Sequence, residues 1–396
     1  MALDRRALAI PARVGDAPDR PNARDPARED GDRPTLEPVT QALLGAATAE
    51  LVAGKNLRGR ALGWGALIGM SPDLDVLFRS FHEGYGDWLY HRGTTHSLWF
   101  GFVVGPLLGF LLWRWRDRGR EDTLPAWIRV AIIALVTHPL LDGFTPYGTQ
   151  LFAPFDRARF AWNGVAIVDP FYSVMLGTGV AIAAMRRFSS ELRRRAVALS
   201  LALSTAYLAI GLAINRHVVT ELQVDLEPHV GPISRLRAYP TIFQPWLRSF
   251  VAHTPEALVV GLHSWQEAGC PAYQVHLRPP DSATLETVRA MWQVEMMHWF
   301  SDGDVATFVH TEPEGVRRFR FEDMRYAWAS DDTRGMWGLE VRVAQDGQIL
   351  GEPRRLGRVG PAAADFDRFA RTLAGRLPAE GGGWKRAGSC SALARR

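Results

Sequence analysis

Apolar residues are concentrated in one stretch of the chain, between positions 39 and 214. Within it they form runs close to the about 20 residues that an α-helix needs to cross a bilayer. The segments predicted as helices are Leu36–Ala53, Leu62–Met70, Ser97–Trp115, Ala126–Leu141, Pro170–Met185 and Ala196–Ile214. The first two are barely long enough to span, so a tight hairpin is the alternative for them. Because the long runs are separated by basic turns, the pattern favours a polytopic helical membrane domain at 36–216 over a soluble bundle.

Basic residues gather in three of the turns between these segments. The groups are Lys55, Arg58 and Arg60, then Arg114, Arg116, Arg118 and Arg120, and finally Arg186, Arg187, Arg193, Arg194 and Arg195. By the positive-inside rule these turns face the cytoplasm. The loops 71–96 and 139–169 then lie together on the opposite face, as does everything after residue 215.

The pattern changes after residue 216, where short apolar stretches alternate with polar turns. Strands are predicted at Val218–Val224, Ala257–Leu262, Ala272–Leu277, Val305–His310, Arg317–Phe321 and Leu339–Val343, and a helix at Asp281–Met291. This spacing is typical of a soluble strand-rich unit. The fold class is therefore mainly α: a polytopic helical membrane domain followed by a smaller soluble strand-rich (α+β) domain at 217–377.

Both ends of the chain are polar, and we predict disorder for 1–35 and for the Gly- and Arg-rich tail 378–396. The first segment has no apolar core of the kind a signal peptide needs. The net charge is +4, but the basic residues mostly sit between apolar runs and no nucleic-acid fold signature is present, so no nucleic-acid partner is expected. Cys270 and Cys390 form neither a disulfide framework nor a CxxC metal motif, which leaves the redox compartment open.

Seven Asp and His residues lie in, or at the helix ends beside, the two loops assigned to the outer face. They are Asp73, Asp75, His91, His96, His138, Asp142 and Asp169. Ionisable groups beside apolar spans are expensive and mark functional positions. His138 and Asp142 are four residues apart, which places both on one helix face. Asp73 and Asp75 follow a proline at a spacing that puts both on one side of an extended segment. Taken singly, each residue is more often structural, so the prediction rests on their location on one face.

Mixed imidazole and carboxylate ligands suit zinc best, with manganese or iron as alternatives. Seven candidates exceed one tetrahedral ion, so a site of two or more metals is a further expectation. A bound metal activates water, and a free carboxylate, Asp73 or Asp75, would act as general base. Arg92 could bind a phosphate or carboxylate, or serve only as a membrane-surface arginine. Thr95 and Ser97 could orient ligands or cap the helix that follows.

The segments PVTQALLGAA (38–47), SPDLD (71–75), YHRGTTHS (90–97), THPLLDGFTPYGTQL (137–151) and VDPFY (168–172) resemble the bacterial inner-membrane metal-dependent hydrolases of the YdjM type. ALSTAYLAIGLAINRHV and HWFSDGD are similar to its longer members, which extends the resemblance over about 36–330. Shorter relatives often carry His where this chain has Gln41, and they usually begin near the PVTQ segment. The HxxxD helix and the Asp/His loops are more loosely similar to zinc-dependent phospholipase C.

These observations predict a multi-pass inner (plasma) membrane protein whose soluble domain lies on the non-cytoplasmic side. The predicted activity is metal-dependent hydrolysis of a phosphoester or lipid-type substrate at the outer face, with Asp73, Asp75 and Arg92 as catalytic residues. The partners expected are membrane lipids and a small-molecule or lipid substrate. Two alternatives stay open: an ion or proton transporter that uses the His/Asp cluster, and a non-catalytic envelope scaffold clamped by metal.

Overall fold

The computed structural model describes residues 37–241, 246–265, 270–312, 314–326, 335–356, 370–372, 374, 376–381 and 383–387. The predicted disordered segment 1–35 lies outside these residues. The described residues form one compact unit. Its first part is helical and its second part is built on two antiparallel sheets, in agreement with the coarse prediction.

The helices of the first part are α1 (Glu37–Leu57), α2 (Arg60–Met70), the short α3 (Phe81–Gly84) and α4 (Gly86–Leu89), α5 (Leu98–Arg116), α6 (Leu124–Gly143), α7 (Pro170–Ala184) and α8 (Ser190–Val230). Each predicted helix of the first part is present, although α8 extends well beyond its predicted end and the short α3 and α4 were not predicted. Among the described residues, Leu98–Arg116, Glu121–Gly143 and Ser190–Val230 are long and apolar enough to cross a membrane, while Pro170–Ala184 is shorter. The exposed side of α5 carries the large apolar residues expected to face lipid, including Phe102, Val103 and Leu107.

Helices α5 and α6 approach each other closely because α5 presents a stripe of glycines at every fourth position. Gly101, Gly105 and Gly109 are buried against α6. A Cβ placed on Gly109 would lie 2.5 Å from Cα of Ile128, a distance that no real side chain tolerates. Such small-residue stripes let helix backbones meet in a membrane, where van der Waals contact drives association. This contact fixes the beginning of α5 beside the end of α6.

Helices α1 and α2 form the tight hairpin foreseen from their lengths, again through glycine. A Cβ on Gly65 would lie 2.3 Å from the carbonyl oxygen of Gly45, and one on Gly69 would lie 2.8 Å from the carbonyl oxygen of Gln41. At the far end of the bundle, Arg60 donates two hydrogen bonds of 2.8 Å to Asp117 in the α5–α6 turn. Two of the three basic turns therefore meet at one end of the bundle.

The strand predicted at Val218–Val224 is wrong, because α8 continues as one helix from Ser190 to Val230. The β-branched residues there suggested a strand, but the buried positions Val218, Leu222 and Leu226 recur at every fourth residue, the helical period. These three side chains pack on the first sheet. The predicted domain boundary at 216/217 thus falls inside an uninterrupted helix.

The second part contains two antiparallel sheets. The first has the order β1-β2-β3-β4-β9 and the second β5-β6-β7-β8. The strands are β1 (Arg235–Pro240), β2 (Leu247–His253), β3 (Ala257–Ser264), β4 (Ala272–Leu277), β5 (Val305–Thr311), β6 (Arg317–Asp323), β7 (Gly338–Val343), β8 (Arg354–Leu356) and β9 (Lys385–Arg386). In the chain, α9 (Ala283–Arg289) and α10 (Trp292–Phe300) come between β4 and β5, and they pack with the second sheet. The predicted strands from 257 onward are confirmed, whereas β1, β2, β8, β9 and α10 were not foreseen.

Two features of the carboxy-terminal region differ from expectation. Within the segment 378–396, predicted to be disordered, β9 pairs with β4, and Trp384 is buried in a cluster with Leu247 and Leu262. The Gly and Arg content of this segment suggested disorder, but the buried side chain of Trp384 holds it against the first sheet. Cys270 is buried and disulfide-bonded, which the spacing of the cysteines did not suggest, while Cys390 lies outside the described residues.

The second part packs directly onto the loops at one end of the helices. Tyr85, Trp88 and Tyr147 from those loops share a buried cluster with Phe300 and Trp337. Arg248 of β2 is fully buried and donates to the carbonyl oxygens of Asn163, Gly164 and Gly211 and to Oδ1 of Asn215, at 2.9–3.3 Å. The sheets therefore cover the loops in which the candidate ligands lie.

Candidate metal centre

The candidate ligands reach one point from three elements. Asp73 lies in a 3-10 helix, Ser71–Ser80, that continues from α2. His96 ends a second 3-10 turn, Thr94–His96, directly before α5, whose amino end is capped by Ser97. His138 and Asp142 lie one turn apart at the end of α6. Because glycine packing sets α5 against α6 and α1 against α2, these three elements meet at the same end of the bundle.

Four side-chain atoms form a compact group: Oδ1 of Asp73, Nε2 of His96, Nε2 of His138 and Oδ2 of Asp142. The two Nε2 atoms are 2.9 Å apart. The four nitrogen-to-oxygen separations are 3.2, 3.3, 3.4 and 3.4 Å. Ligand atoms bound at about 2.0–2.1 Å around a tetrahedral ion are about 3.3–3.4 Å apart. The four nitrogen-to-oxygen separations therefore match those of a tetrahedral metal site, while the two nitrogens lie closer together.

The partners of the two Nδ1 atoms decide which ring nitrogen faces the centre. Nδ1 of His138 donates to the carbonyl oxygen of Gly69 at 2.5 Å, since a carbonyl can only accept. Nδ1 of His96 lies 3.1 Å from both the Asp75 carboxylate and the Thr95 hydroxyl oxygen. Because that hydroxyl donates its proton to Asp75, both groups can only accept from Nδ1 of His96. Both protons are thus on Nδ1, and both Nε2 lone pairs point at each other and at two carboxylates. Such a group requires a positive charge between its members, and a neutral imidazole with Nδ1–H fixed by an acceptor is the usual ligand form.

Asp75 organises the loop that carries His96. Its Oδ1 accepts from His91 Nδ1 at 2.7 Å, and its Oδ2 accepts from the Arg92 amide at 3.0 Å and the Thr95 hydroxyl at 2.8 Å. The expectation that Asp73 and Asp75 point to one side of an extended segment is wrong. Pro72 starts a 3-10 helix there, and in that helix residues two apart point in different directions. Asp73 therefore faces the centre, and Asp75 faces the rear of His96.

Arg92 and Gln41 enclose Asp142 from the buried side. Nε of Arg92 lies 3.5 Å from Oδ2 of Asp142, and its Nη1 donates to Thr145 at 2.8 Å. The guanidinium stacks 4.8 Å from the ring centre of Tyr147. Gln41 donates to Oδ1 of Asp142 at 2.7 Å, so Oδ2 is left to face the histidines. Arg92 is buried and contacts a candidate ligand directly, which suits a residue that positions Asp142.

The backbone at Arg92 adopts an unusual conformation. Its φ angle is +59°, in the left-handed region that non-glycine residues rarely occupy. This turn directs the Arg92 amide at Asp75 while the side chain reaches Asp142. Strained residues of this kind persist where surrounding contacts over-determine them, often at functional sites.

Charges around the centre favour ionised carboxylates. Burial raises the pKa of Asp75, but hydrogen bonds with His91 and His96 outweigh it and hold the pKa well below its usual value. Burial lowers the pKa of His91, yet its hydrogen bond to Asp75 raises it overall.

Exposure distinguishes the four members of the group. The side chain of Asp73 is 16% exposed, whereas those of His96, His138 and Asp142 are at most 2% exposed. The open side of the centre therefore lies at Asp73. The residues next to it, Leu74 and Leu77, are 62% and 72% exposed.

Asp75, His91 and Asp169 were also predicted as metal ligands, and the structure places all three outside the group of four. Asp169 caps α7 by accepting from the Tyr172 amide at 3.1 Å, and its Oδ2 accepts from the Tyr207 hydroxyl at 2.8 Å. A small cavity lies between it and Asp142, and both residues line it. The described residues form one such four-residue group, so the expectation of two or more metals gains no support from it. The Gly69 carbonyl was missed, since a backbone acceptor leaves no trace in the side-chain pattern.

Comparison with known proteins places this region in a family. The model of the YdjM inner membrane protein family matches residues 36–218. The inner membrane protein YbcI of Escherichia coli is 36% identical over 124 residues, which cover 30% of this chain and 69% of YbcI. The chain belongs to the YdjM inner membrane protein family. All four members of the candidate centre lie inside the matched region.

A second relative is less completely covered. The uncharacterized protein YfhP of Bacillus subtilis is 30% identical over 149 residues, which are 36% of this chain and 42% of YfhP. No solved structure matches the chain significantly. The comparisons do not show the looser similarity to zinc-dependent phospholipase C, which stays a prediction. The region after residue 218, which includes both sheets, lies outside the family match.

Proposed function

We propose that this protein is a membrane-bound metal-dependent hydrolase. The observation that supports a metal here most directly is the group in which two imidazole nitrogens and two carboxylate oxygens face one point. The exposure of Asp73 on the open side of this group supports catalysis. Without a cation these atoms repel one another, and burial strengthens that repulsion. A divalent metal, with zinc preferred and manganese or iron as alternatives, satisfies all of them.

In this proposal His96, His138 and Asp142 hold the metal and Asp73 serves as general base. The three proposed ligands are the fully buried members of the group, and three protein ligands leave the fourth position of a catalytic zinc site for water. The metal supplies acidity to that water and polarises the substrate oxygen. Asp73, on the exposed side, is placed to accept the proton. Asp75 and Arg92, first considered as catalytic, act as positioning residues for His96 and Asp142.

The surroundings of Asp73 favour an amphiphilic substrate such as a phosphoester lipid. The 3-10 helix that carries Asp73 also carries the exposed residues Leu74, Leu77 and Phe78, and Phe81 follows it. Apolar side chains of this size at the rim of a membrane domain suit the boundary between head groups and acyl chains. A lipid head group approaching along this boundary would meet the open side of the centre first.

We further propose a multi-pass protein with the centre and the sheets on the non-cytoplasmic face. The long apolar helices, the family, and the meeting of two basic turns at the end opposite the centre support this arrangement. The disulfide at Cys270 adds to it, because disulfides persist in oxidising compartments.

A metal-clamped scaffold is the second candidate, and one observation favours it. Asp73 lies at the same distances from the histidines as Asp142 does, 3.2 and 3.4 Å against 3.3 and 3.4 Å. If Asp73 is a fourth ligand, the coordination shell is closed, as in structural zinc sites. The two candidates therefore differ in the role of Asp73.

The first test is the metal content of the detergent-purified full chain, measured by elemental mass spectrometry. We expect near-stoichiometric zinc, manganese or iron in the wild type and its loss in His138→Ala/Asp142→Ala. His82→Ala is the matched control, since His82 is an exposed histidine whose side chain bonds only to Tyr90 among the described contacts. A wild type that takes up no metal even after reconstitution would refute the metal centre and favour a proton path.

The second test separates the enzyme from the scaffold through Asp73→Asn. If Asp73 is the base, the variant keeps its metal but loses about 10²–10⁴-fold in the hydrolysis of phospholipid vesicles or soluble phosphoesters. If Asp73 is a fourth ligand, metal affinity falls with it. Comparing vesicles with soluble phosphoesters also shows whether the substrate is a lipid.

A further inference from the structure

A second group of metal-ligating side chains lies where α8 leaves the apolar part of the bundle. His217, Glu221 and Asp225 are spaced four residues apart and therefore line one face of α8. Nε2 of His217 is 3.2 Å from Oε1 of Glu221. The adjacent face, with Val218 and Leu222, is buried on the first sheet, so this polar face runs along the edge of that contact.

His263 of β3 faces the same group from the sheet. Side chains alternate along a strand, so His263 shares the face of Val259, which packs with Val218 and Leu222 of α8. Its Nε2 lies 3.5 Å from Oε2 of Glu221. The Glu221 carboxylate thus stands between two imidazoles, one exposed and one buried.

The state of His263 is the observation that points to a ligand. Its side chain is 0% exposed, and neither Nδ1 nor Nε2 has a hydrogen-bond partner among the described residues. A buried polar atom left without a partner costs about 1–3 kcal/mol. A metal ion bound to Nε2 would give this nitrogen the partner it lacks.

We propose that His263 and Glu221 hold a second divalent-metal ion, and that the side chains of His217 and Asp225, on the same face of α8, turn toward this ion to complete its ligand set. Two imidazoles and a carboxylate suit zinc and related ions. None of these residues contributes to the centre at Asp73, His96, His138 and Asp142. An ion here joins α8 to β3, so it ties the membrane helix to the first sheet. The side chain of His217 is 66% exposed, which leaves the site accessible from solvent.

The test uses untagged full-length protein in which the first centre is removed by His138→Ala/Asp142→Ala. Titration with Zn²⁺ against a chromophoric chelator counts the sites that remain. We expect one equivalent of Zn²⁺ in this background, and at least about 100-fold weaker binding after adding Glu221→Gln, because both imidazoles lose their shared carboxylate. Glu191→Gln, on the same helix and paired only with Arg195 in the described contacts, should leave Zn²⁺ binding unchanged.

The variant His263→Gln tests the same site independently of Glu221. Circular dichroism and size-exclusion chromatography show whether each variant is folded. His263→Gln should weaken Zn²⁺ binding as Glu221→Gln does. Since Glu221 is partly exposed, its substitution tests the site even where the buried histidine cannot be replaced without unfolding. The proposal is overturned if the first-centre variant binds no Zn²⁺, or if its binding is the same with and without Glu221→Gln.

Discussion

Replacement of Asp75 tests whether the centre depends on the carboxylate behind His96. Asp75 accepts from His91, Arg92 and Thr95 at 2.7–3.0 Å and lies 3.1 Å from Nδ1 of His96. It fixes the proton of His96 on Nδ1 and increases the basicity of Nε2. Loss of such a partner weakens metal binding by about 10–100-fold.

Two substitutions of Asp75 should weaken metal binding by different amounts within this range of about 10–100-fold. Asp75→Asn keeps an oxygen toward Arg92, Thr95 and His96 and loses the negative charge, so we expect a decrease of about 10-fold. Asp75→Ala removes every acceptor and should reach about 100-fold, or about 2.7 kcal/mol. Asp142→Ala, which removes a proposed ligand, should abolish binding.

The assay is competition for Zn²⁺ with a chromophoric chelator in detergent. Because Asp75 is buried with several donors, its loss also lowers the stability of the metal-free protein, so thermal unfolding without metal is measured in parallel. Unchanged affinity in Asp75→Ala would refute the positioning role. Loss as complete as in Asp142→Ala, in a folded protein, would show that Asp75 is itself a ligand.

Three further predictions follow from contacts around the centre and the sheets. Gly69→Ala places a Cβ 2.8 Å from the Gln41 carbonyl oxygen, and the shift that relieves this clash must displace the Gly69 carbonyl from His138. The zinc affinity measured in the chelator assay should therefore fall by about 10-fold. An unchanged zinc affinity would contradict this prediction. Arg248→Met removes the donor to the carbonyl oxygens of Asn163 and Gly164, at about 1–3 kcal/mol each. The unfolding temperature of this variant should therefore fall by much more than that of Arg195→Met, whose side chain is 76% exposed. Cys270 should resist maleimide labelling in denatured, unreduced protein and react after reduction; labelling without reductant would argue against an oxidising compartment.

Much of the helical part could be predicted because membrane helices leave long apolar runs and charged turns. Charge alone placed Asp73, His96, His138 and Asp142 on one face, and the structure brings their side chains together. The sequence could not predict that Asp73 faces the metal centre while Asp75 faces the rear of His96. The two directions depend on the 3-10 helix that contains Pro72, and residue spacing does not reveal this helix. Asp169 was predicted as a metal ligand because its loop lies on the same membrane face as the other ligands. Location on one face does not specify which side chains come into contact.

The second part was harder to predict from one sequence. Short strands such as Leu247–His253 are buried along nearly their whole length and lack the alternation that marks a half-exposed strand. The continuation of α8 past residue 216 was hidden by β-branched residues with strand preference. In both cases long-range packing, which a local pattern does not encode, decided the structure.

The length of α8 has a consequence for how the protein responds to its membrane. Its 41 residues extend about 60 Å at 1.5 Å per residue, roughly twice the hydrocarbon thickness of a bilayer. Arg248 joins the first sheet to the Gly211 carbonyl within this helix, so helix and sheet move as one body. A bilayer of different thickness changes the tilt of a spanning helix. The tilt of α8 would then carry the sheets, and the loops beneath them, toward or away from the lipid surface, making the protein sensitive to acyl-chain length.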